Sequence, residues 1–396
     1  MNLPLLIFTL TAINFIFQVD FVVMMPLGPI LMNELQMSAI EFSVAISSYT
    51  LMAGFSSLLF SLFGNLFRRK ILLSSALILL GVCSFLTGRV ESAKELIVVR
   101  TMAGFFSGVL NPLIFAIVAD AIPEKKRGKA LGYIMSGFSL ASVLGIPTGL
   151  FLSDHYGFQS TFYALAVVFL LVLIVSIFIL PPDKMRDKTQ LNFELIMDFK
   201  NAFLNTEYLK GHFLLFFISG AIFIVVPLLS PYAVRNMNID VDNLKHMYFC
   251  GGILTVIFLR FVGALCDRMG ARKVLAIVAT LSIIPVMIFT HASTSSTLYF
   301  LVLGSLMMAL MSGMMVPAMA IASLLPNKKD NRPFNGILNS MRCLGSAQFA
   351  FLAGLVVTTV NESQSLVHFD RIGFIYAALI IIVLGISSKI KIERYP

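Results

Sequence analysis

An all-α integral membrane fold, with twelve transmembrane helices in two six-helix bundles, is the architecture this sequence predicts. Three observations predict it. Of 396 residues, 58% are hydrophobic and only 12% are charged, where a soluble domain carries about 25% charged residues. Mean hydropathy is +0.92. Apolar runs of the roughly 20 residues needed to cross about 30 Å of hydrocarbon recur from one end of the chain to the other, and Lys and Arg cluster in the short segments between them.

The runs fall at 5–32, 39–67, 70–88, 95–121, 129–152, 158–181, 211–234, 244–266, 272–290, 297–325, 333–359 and 369–388. The longest of them predict tilt or protruding ends. Between the sixth and seventh lies a polar stretch with Pro181, Pro182, Asp183, Lys184, Arg186, Asp187 and Lys188, followed by an amphipathic piece near 191–203. The predicted organisation is therefore an N-terminal bundle over 1–181, a linker over 182–210 and a C-terminal bundle over 211–396. The first run has no basic start and no small-residue cleavage pattern, so it reads as a mature helix and not as a signal peptide.

The 29 basic residues set the orientation. The side holding the N-terminus carries 21 of them, the opposite side five (Arg89, Lys94, Arg235, Lys245, Arg371), and three lie within spans (Arg100, Arg260, Arg342). The positive-inside rule then places both termini and the linker in the cytoplasm. The net charge of +9 is thus a topology signal and no footprint for nucleic acid. Cys83, Cys250, Cys266 and Cys343 all sit in apolar runs without a C-x-x-C spacing, and read as small hydrophobes. Asn361-Glu362-Ser363 is a three-residue sequon match of little weight.

Two equivalent loops show an internal repeat. After the eighth run stands Gly263-Ala264-Leu265-Cys266-Asp267-Arg268-Met269-Gly270-Ala271-Arg272-Lys273, and after the second a shortened relative, Gly64-Asn65-Leu66-Phe67-Arg68-Arg69-Lys70. Tight turns need the glycines, and the cations favour helix C-termini and carboxylates. On these residues the chain resembles the major facilitator superfamily, whose loop signature G-x-L-x-D-R-x-G-x-R-K the second copy matches at each fixed position. The first copy lacks about four residues and the Asp, so the resemblance implies no intact charge relay there.

Further segments narrow the resemblance. Arg100-Thr101-Met102-Ala103-Gly104, followed by Gly108, is similar to the family's fourth-helix pattern, with Ala103 where Gln is usual. Asp120 to Gly132 resembles the loop of bacterial twelve-helix drug:proton antiporters. In the fifth run Gly137, Ala141, Gly145 and Gly149 are spaced four apart, and Gly145-x-Pro147-x-Gly149 resembles the antiporter motif of that branch. Small residues at this spacing also make a flat ridge that lets another backbone approach. Gating and plain packing both stand as readings of it.

Ionisable groups in hydrocarbon are functional candidates, since each costs at least about 2.5–3.5 kcal/mol to insert. Asp20 lies near the middle of the first run, within Asn14…Gln18-Val19-Asp20, and its spacing to Pro29 resembles a first-helix pattern of the family's drug exporters. It is read either as the proton-coupling or substrate-binding carboxylate, or as a fixed partner of Arg100. Asp120 is expected to pair with Arg68 or Arg69 as a gate. In the C-terminal half Arg342, with Asn339 and Gln348 nearby, is the better cavity candidate, for an anionic group or for structural satisfaction. Arg260 is close enough to Asp267 to snorkel to the surface. Asn111-Pro112 and Pro317 hold similar places in the two halves and predict bends.

The predicted function is proton-coupled efflux of a small organic molecule by alternating access, powered by the proton gradient with no cofactor or metal. The alternative is a proton-coupled importer or facilitator of an anionic metabolite. The expected partners are the lipid bilayer and a small-molecule substrate, with no nucleic acid, in a monomer in a bacterial inner membrane. An enzyme is disfavoured because His155, His212, His246, His291 and His368 are scattered at span ends without a catalytic cluster. An ATP-driven pump is disfavoured because the chain has no G-x-x-x-x-G-K-[ST] loop.

Overall fold

The computed structural model describes residues 3–180, 193–292, 296–327, 330–359 and 365–390. The polar stretch 181–192 and the sequon at 361–363 lie outside the described residues. Eleven described helices are long and apolar enough to cross a membrane. In chain order the first ten are α1 (Leu3–Val22), α2 (Ala39–Phe63), α3 (Arg69–Thr87), α4 (Ala93–Ala121), α5 (Lys125–Tyr156), α6 (Phe158–Ile179), α7 (Thr206–Met237), α8 (Val241–Met269), α9 (Ala271–Thr290) and α10 (Thr297–Ser323). Next come α11 (Asn331–Val356) and α12 (Phe369–Lys389), of which α12 is the eleventh apolar span. With 26 residues α11 is as long as its neighbours, and it packs along both α2 and α7. It completes twelve spans in two six-helix bundles.

Local chemistry fixes the ends of these helices. Ser38 caps α2 in a reciprocal box with Glu41, and Ser92, Asn205 and Ser296 accept from backbone N–H groups at the starts of α4, α7 and α10. Large apolar side chains such as Phe8, Phe178, Leu171, Ile257 and Phe261 stay exposed. In a membrane protein these face lipid, while serines and threonines turn inward.

Prolines shape the spans. The first run is not one helix over 5–32: α1 ends at Val22, a turn follows, and a short helix spans Gly28–Glu34. Pro26 has no N–H to continue the ladder, and Pro29 opens the second piece. Within the stretch 182–210 a helix covers Phe193–Leu204, over the amphipathic piece, and α7 begins at Thr206. Helix α4 breaks at Val109, three residues before Pro112, and α10 breaks at Met314, three residues before Pro317. Each break follows a glycine, Gly108 or Gly313, so the repeat is visible in the backbone. In α5 the stretch Ala141–Gly145 forms a π turn just before Pro147.

Within the N-terminal bundle α2 packs on α4, α3 on α6 and α1 on α5. In the C-terminal bundle α7 packs on α11 and α12, and α8 on α10. The halves meet where α2 runs along α11, α5 meets α8, and the short Gly28–Glu34 helix touches α7. An even number of crossings puts Leu3 and Lys389 on one face, here called the terminal face. On the opposite face a two-stranded hairpin, β1 (Thr358–Thr359) with β2 (Leu366–Val367), links α11 to α12. Asn236 of α7 holds it by two hydrogen bonds to the backbone of Leu366, at 2.8 and 2.9 Å.

Candidate functional site

The ionic centre is built by three helices of the N-terminal bundle. Asp20 on α1 is 1% exposed, as is Arg100 on α4. Arg100 Nη1 donates to Asp20 Oδ2 at 3.1 Å, and Nη2 donates to the Asp20 carbonyl oxygen at 3.1 Å. Ser84 on α3 donates to Asp20 Oδ1 at 2.7 Å. Both carboxylate oxygens therefore accept from donors, which is the arrangement that suits an ionised group.

The guanidinium also lies over the Tyr49 ring of α2, 4.4 Å from its centroid, a cation–π contact. That contact depends on how closely α4 approaches α2. A Cβ at Gly104 would stand 2.2 Å from the Tyr49 carbonyl oxygen, so only glycine admits this approach. Tyr49 stacks on Phe21 at 5.0 Å, and Phe21 stacks in turn on Phe223 of α7, in the other bundle, at 5.9 Å. A crevice lined by Phe21, Met24, Ile46, Tyr49 and Arg100 adjoins the pair and is closed to a water-sized sphere. Arg100 thus stands between the buried carboxylate and the seam of the two bundles.

The other candidates from the sequence separate into distinct places. Asn14 is buried with neither amide atom hydrogen-bonded among the described residues, and its Oδ1 lies 3.0 Å from where a Cβ of Gly137 would be. Gln18 and Asn111 are half-buried, and no hydrogen bond joins either to the Asp20 centre among the described residues. Gln348 does not join a cavity: it is exposed, on the same arc of α11 as Leu344 and Leu355. Helical phase put it there, since residues near in sequence to Arg342 are spread around the whole helix. Arg260 is exposed on α8.

Arg342 is half-buried, and its Nη2 donates to Asn339 Oδ1 at 3.0 Å. The Asn339 Nδ2 donates to Ser57 Oγ on α2 at 2.7 Å, so this chain of bonds crosses between the bundles. Nearby, Ser340 donates to the Gly54 carbonyl at 2.7 Å.

Of the loop residues, Asp120 pairs with Arg69, which also donates to the Ala116 carbonyl, while Arg68 is exposed. In the second loop Gly270 takes φ +85°, the left-handed conformation for which glycine is suited. Asp267 and Arg268 are exposed with no ion pair to a described residue, and the space around Gly263 is open. Arg272 instead donates to the Ile390 carbonyl just past α12, as Lys70 donates to Ile177 and Leu180 at the end of α6. Both cations cap the last helix of their own bundle, where helix dipoles favour them.

The small-residue ridge of α5 lies on α1. A Cβ at Gly145 would come 2.3 Å from Val19 Cγ2, and one at Gly149 would come 2.5 Å from Val23 Cγ2. The π turn beside it presents Ser142 and Val143 to Gly252 of α8. The ridge thus packs α5 within its bundle, and the bulge is its contact with the other bundle. At the opposite face Lys245 of α8 bonds Asp154 of α5 at 2.8 Å and its own Asp242 at 2.6 Å. Asp154 and Lys245 lay outside the expected site because each reads alone as a loop charge.

A model of the Major Facilitator Superfamily matches residues 10–209 and 211–391. The chain belongs to that family. An uncharacterized MFS-type transporter of Methanocaldococcus jannaschii is 22% identical over 382 residues, 93% of each chain. The multidrug resistance protein MdtG of Salmonella typhimurium is 28% identical over 228 residues, and that match spans about half of each protein, 54%. Among solved structures, the D-xylose–proton symporter superposes with TM-score 0.79 at 14% identity over 98% of both chains. The nucleoside transporter NupG gives 0.74 at 14% identity, over 98% of this chain and 100% of its own. At such identities they share the fold alone. Family and fold are those of membrane transporters and not of enzymes.

Proposed function

We propose that this secondary transporter exports a small organic molecule in exchange for protons, with Asp20 as the coupling carboxylate. The buried Asp20–Arg100 pair, one side chain away from the seam between the bundles, carries the reading. Alternating access opens that seam to one side of the membrane and then to the other. In the closed arrangement Arg100 and Ser84 occupy both oxygens of the buried carboxylate. When the bundles part, Phe21 loses Phe223, and the crevice beside Arg100 opens to water and cargo. Loosening of the guanidinium then lets a proton reach Asp20. The half-chain similarity to MdtG supports export over import, and the basic residues of the terminal face support a cytoplasmic location for both termini.

The test is transport by purified protein in liposomes under an imposed pH gradient, with ethidium as a cationic probe and benzoate as an anionic one. Asp20→Asn is expected to abolish gradient-driven movement of the transported probe. The double variant D20N/R100Q, which leaves no guanidinium without its partner at position 20, guards against a mere folding defect. Undiminished coupled transport in either variant sinks the coupling role. A second reading, uptake of an anionic metabolite, is favoured by Arg342. Whole cells treated with an uncoupler separate the two: accumulated probe rises for an exporter and falls for a coupled importer.

A further inference from the structure

Helix α11 presents four arcs, and three of them have occupants. Gly336, Ser340, Cys343 and Gly354 meet α2, through Ser61, the Gly54 backbone and Ser43. Phe334, Gly345 and Phe349 meet α7, at His212, the Phe216 backbone and Gly220. Leu344, Phe351 and Leu355 are exposed and face outward. With 3.6 residues per turn, the fourth arc holds Asn335, Asn339, Arg342 and Ser346, spaced i, i+4, i+7 and i+11. It lies between the α2 and α7 contacts, on the inner side of the seam.

These four residues are polar, and their one charge has no counter-charge among the described residues. Arg100 has Asp20, but no carboxylate pairs with Arg342 among the described residues, where Asn339 Oδ1 is its hydrogen-bond partner. Arg342 cannot discard its proton, and an unpaired cation at this depth is costly. Its remaining N–H groups form a planar fork that matches a carboxylate, sulfonate or phosphate. Asn339 is anchored across the seam on Ser57, so opening the seam would change the setting of the guanidinium.

We infer that the Asn335–Asn339–Arg342–Ser346 arc, with Ser57 of α2, binds an anionic group of the transported molecule. This rests on the transport reading and names the class of cargo. Asp20 and Arg100 balance each other, so the charge of Arg342 stands uncompensated on this arc among the described residues, and an anionic cargo neutralises it.

The experiment is a thermal-shift titration of the full chain in phosphatidylcholine nanodiscs with naphthalene carboxylate, sulfonate and phosphate, against neutral naphthalene carboxamide. At least one anion is expected to stabilise the protein while the carboxamide does not. Arg342→Gln should weaken that binding at least tenfold, Arg342→Lys should retain part of it, and the outward-facing Gln348→Ala should leave it unchanged. No stabilisation by any of the three anions, or equal affinity in Arg342→Gln, overturns the assignment. A second arm adds phosphatidylglycerol, and competition by that lipid would assign the arc to a headgroup and overturn its role in cargo binding. If Asp20→Asn uncouples transport while no anion binds, only the cargo assignment fails.

Discussion

Asp20 and Arg100 stabilise each other in a place where neither charge is tolerated alone. Breaking a buried pair by removing one partner costs about 3–5 kcal/mol, whereas replacing both is often nearly neutral. Arg100→Leu should therefore lower the melting temperature of the purified protein sharply or prevent its accumulation. The double variant D20N/R100L should recover most of that loss. Equal stability of the Arg100→Leu variant and the parent would mean that water already solvates the carboxylate. This pair was legible in the sequence because two opposite charges stood deep in apolar runs, where chance rarely leaves them. Ser84 and Tyr49 were not legible, since a serine and a tyrosine in a span carry no such penalty. One signal existed for Tyr49: aligning Gly64 with Gly263 sets it opposite Tyr248, which is also buried and bonds Ser230 at 2.8 Å.

At the scale of single helices, hydropathy located the spans to within a few residues and missed what the backbone does inside them. It joined 5–32 because the turn around Pro26 is as apolar as the helices beside it. The small-residue ridge of α5 was legible as a ridge, but its partner was not, because spacing alone does not say which helix a ridge meets. The partner is α1, and its fit makes a second prediction. Alanine normally suits a helix better than glycine by about 1 kcal/mol. At Gly145 the new methyl would overlap Val19 Cγ2, and overpacking costs about 1–3 kcal/mol. Gly145→Ala should lower the melting temperature, and Val19→Ala added to it should restore part of the loss. If Gly145→Ala stabilises the protein, α1 and α5 are not held this closely.

For the molecule as a whole, the positions of the contacts between bundles decide which face is closed. Toward the face opposite the termini the ties between the halves include Lys245 to Asp154, the Ala39 N–H to Thr359 Oγ1 at 3.3 Å, Gly28 against Pro231 and Gly354 against Ser43. Toward the terminal face α2 and α11 still meet, at Ser61 and Gly336, whereas Tyr133, Met135 and Phe138 of α5 are exposed. Opening of the opposite face must break the Lys245–Asp154 bridge. The bridge is partly solvated, with side chains 16% and 37% exposed, so it contributes at most about 1 kcal/mol. That is small for stability, yet at 1.4 kcal/mol per tenfold it shifts a two-state population several-fold. The measurement is labelling of Val143→Cys, in a variant without the four native cysteines, by an impermeant maleimide added from the opposite face. Lys245→Ala should raise the labelling rate several-fold, and the exchanged pair D154K/K245D should return it toward the parent value. The melting temperature should hardly move in either variant. An unchanged labelling rate in Lys245→Ala would show that the apolar contacts alone keep this face closed.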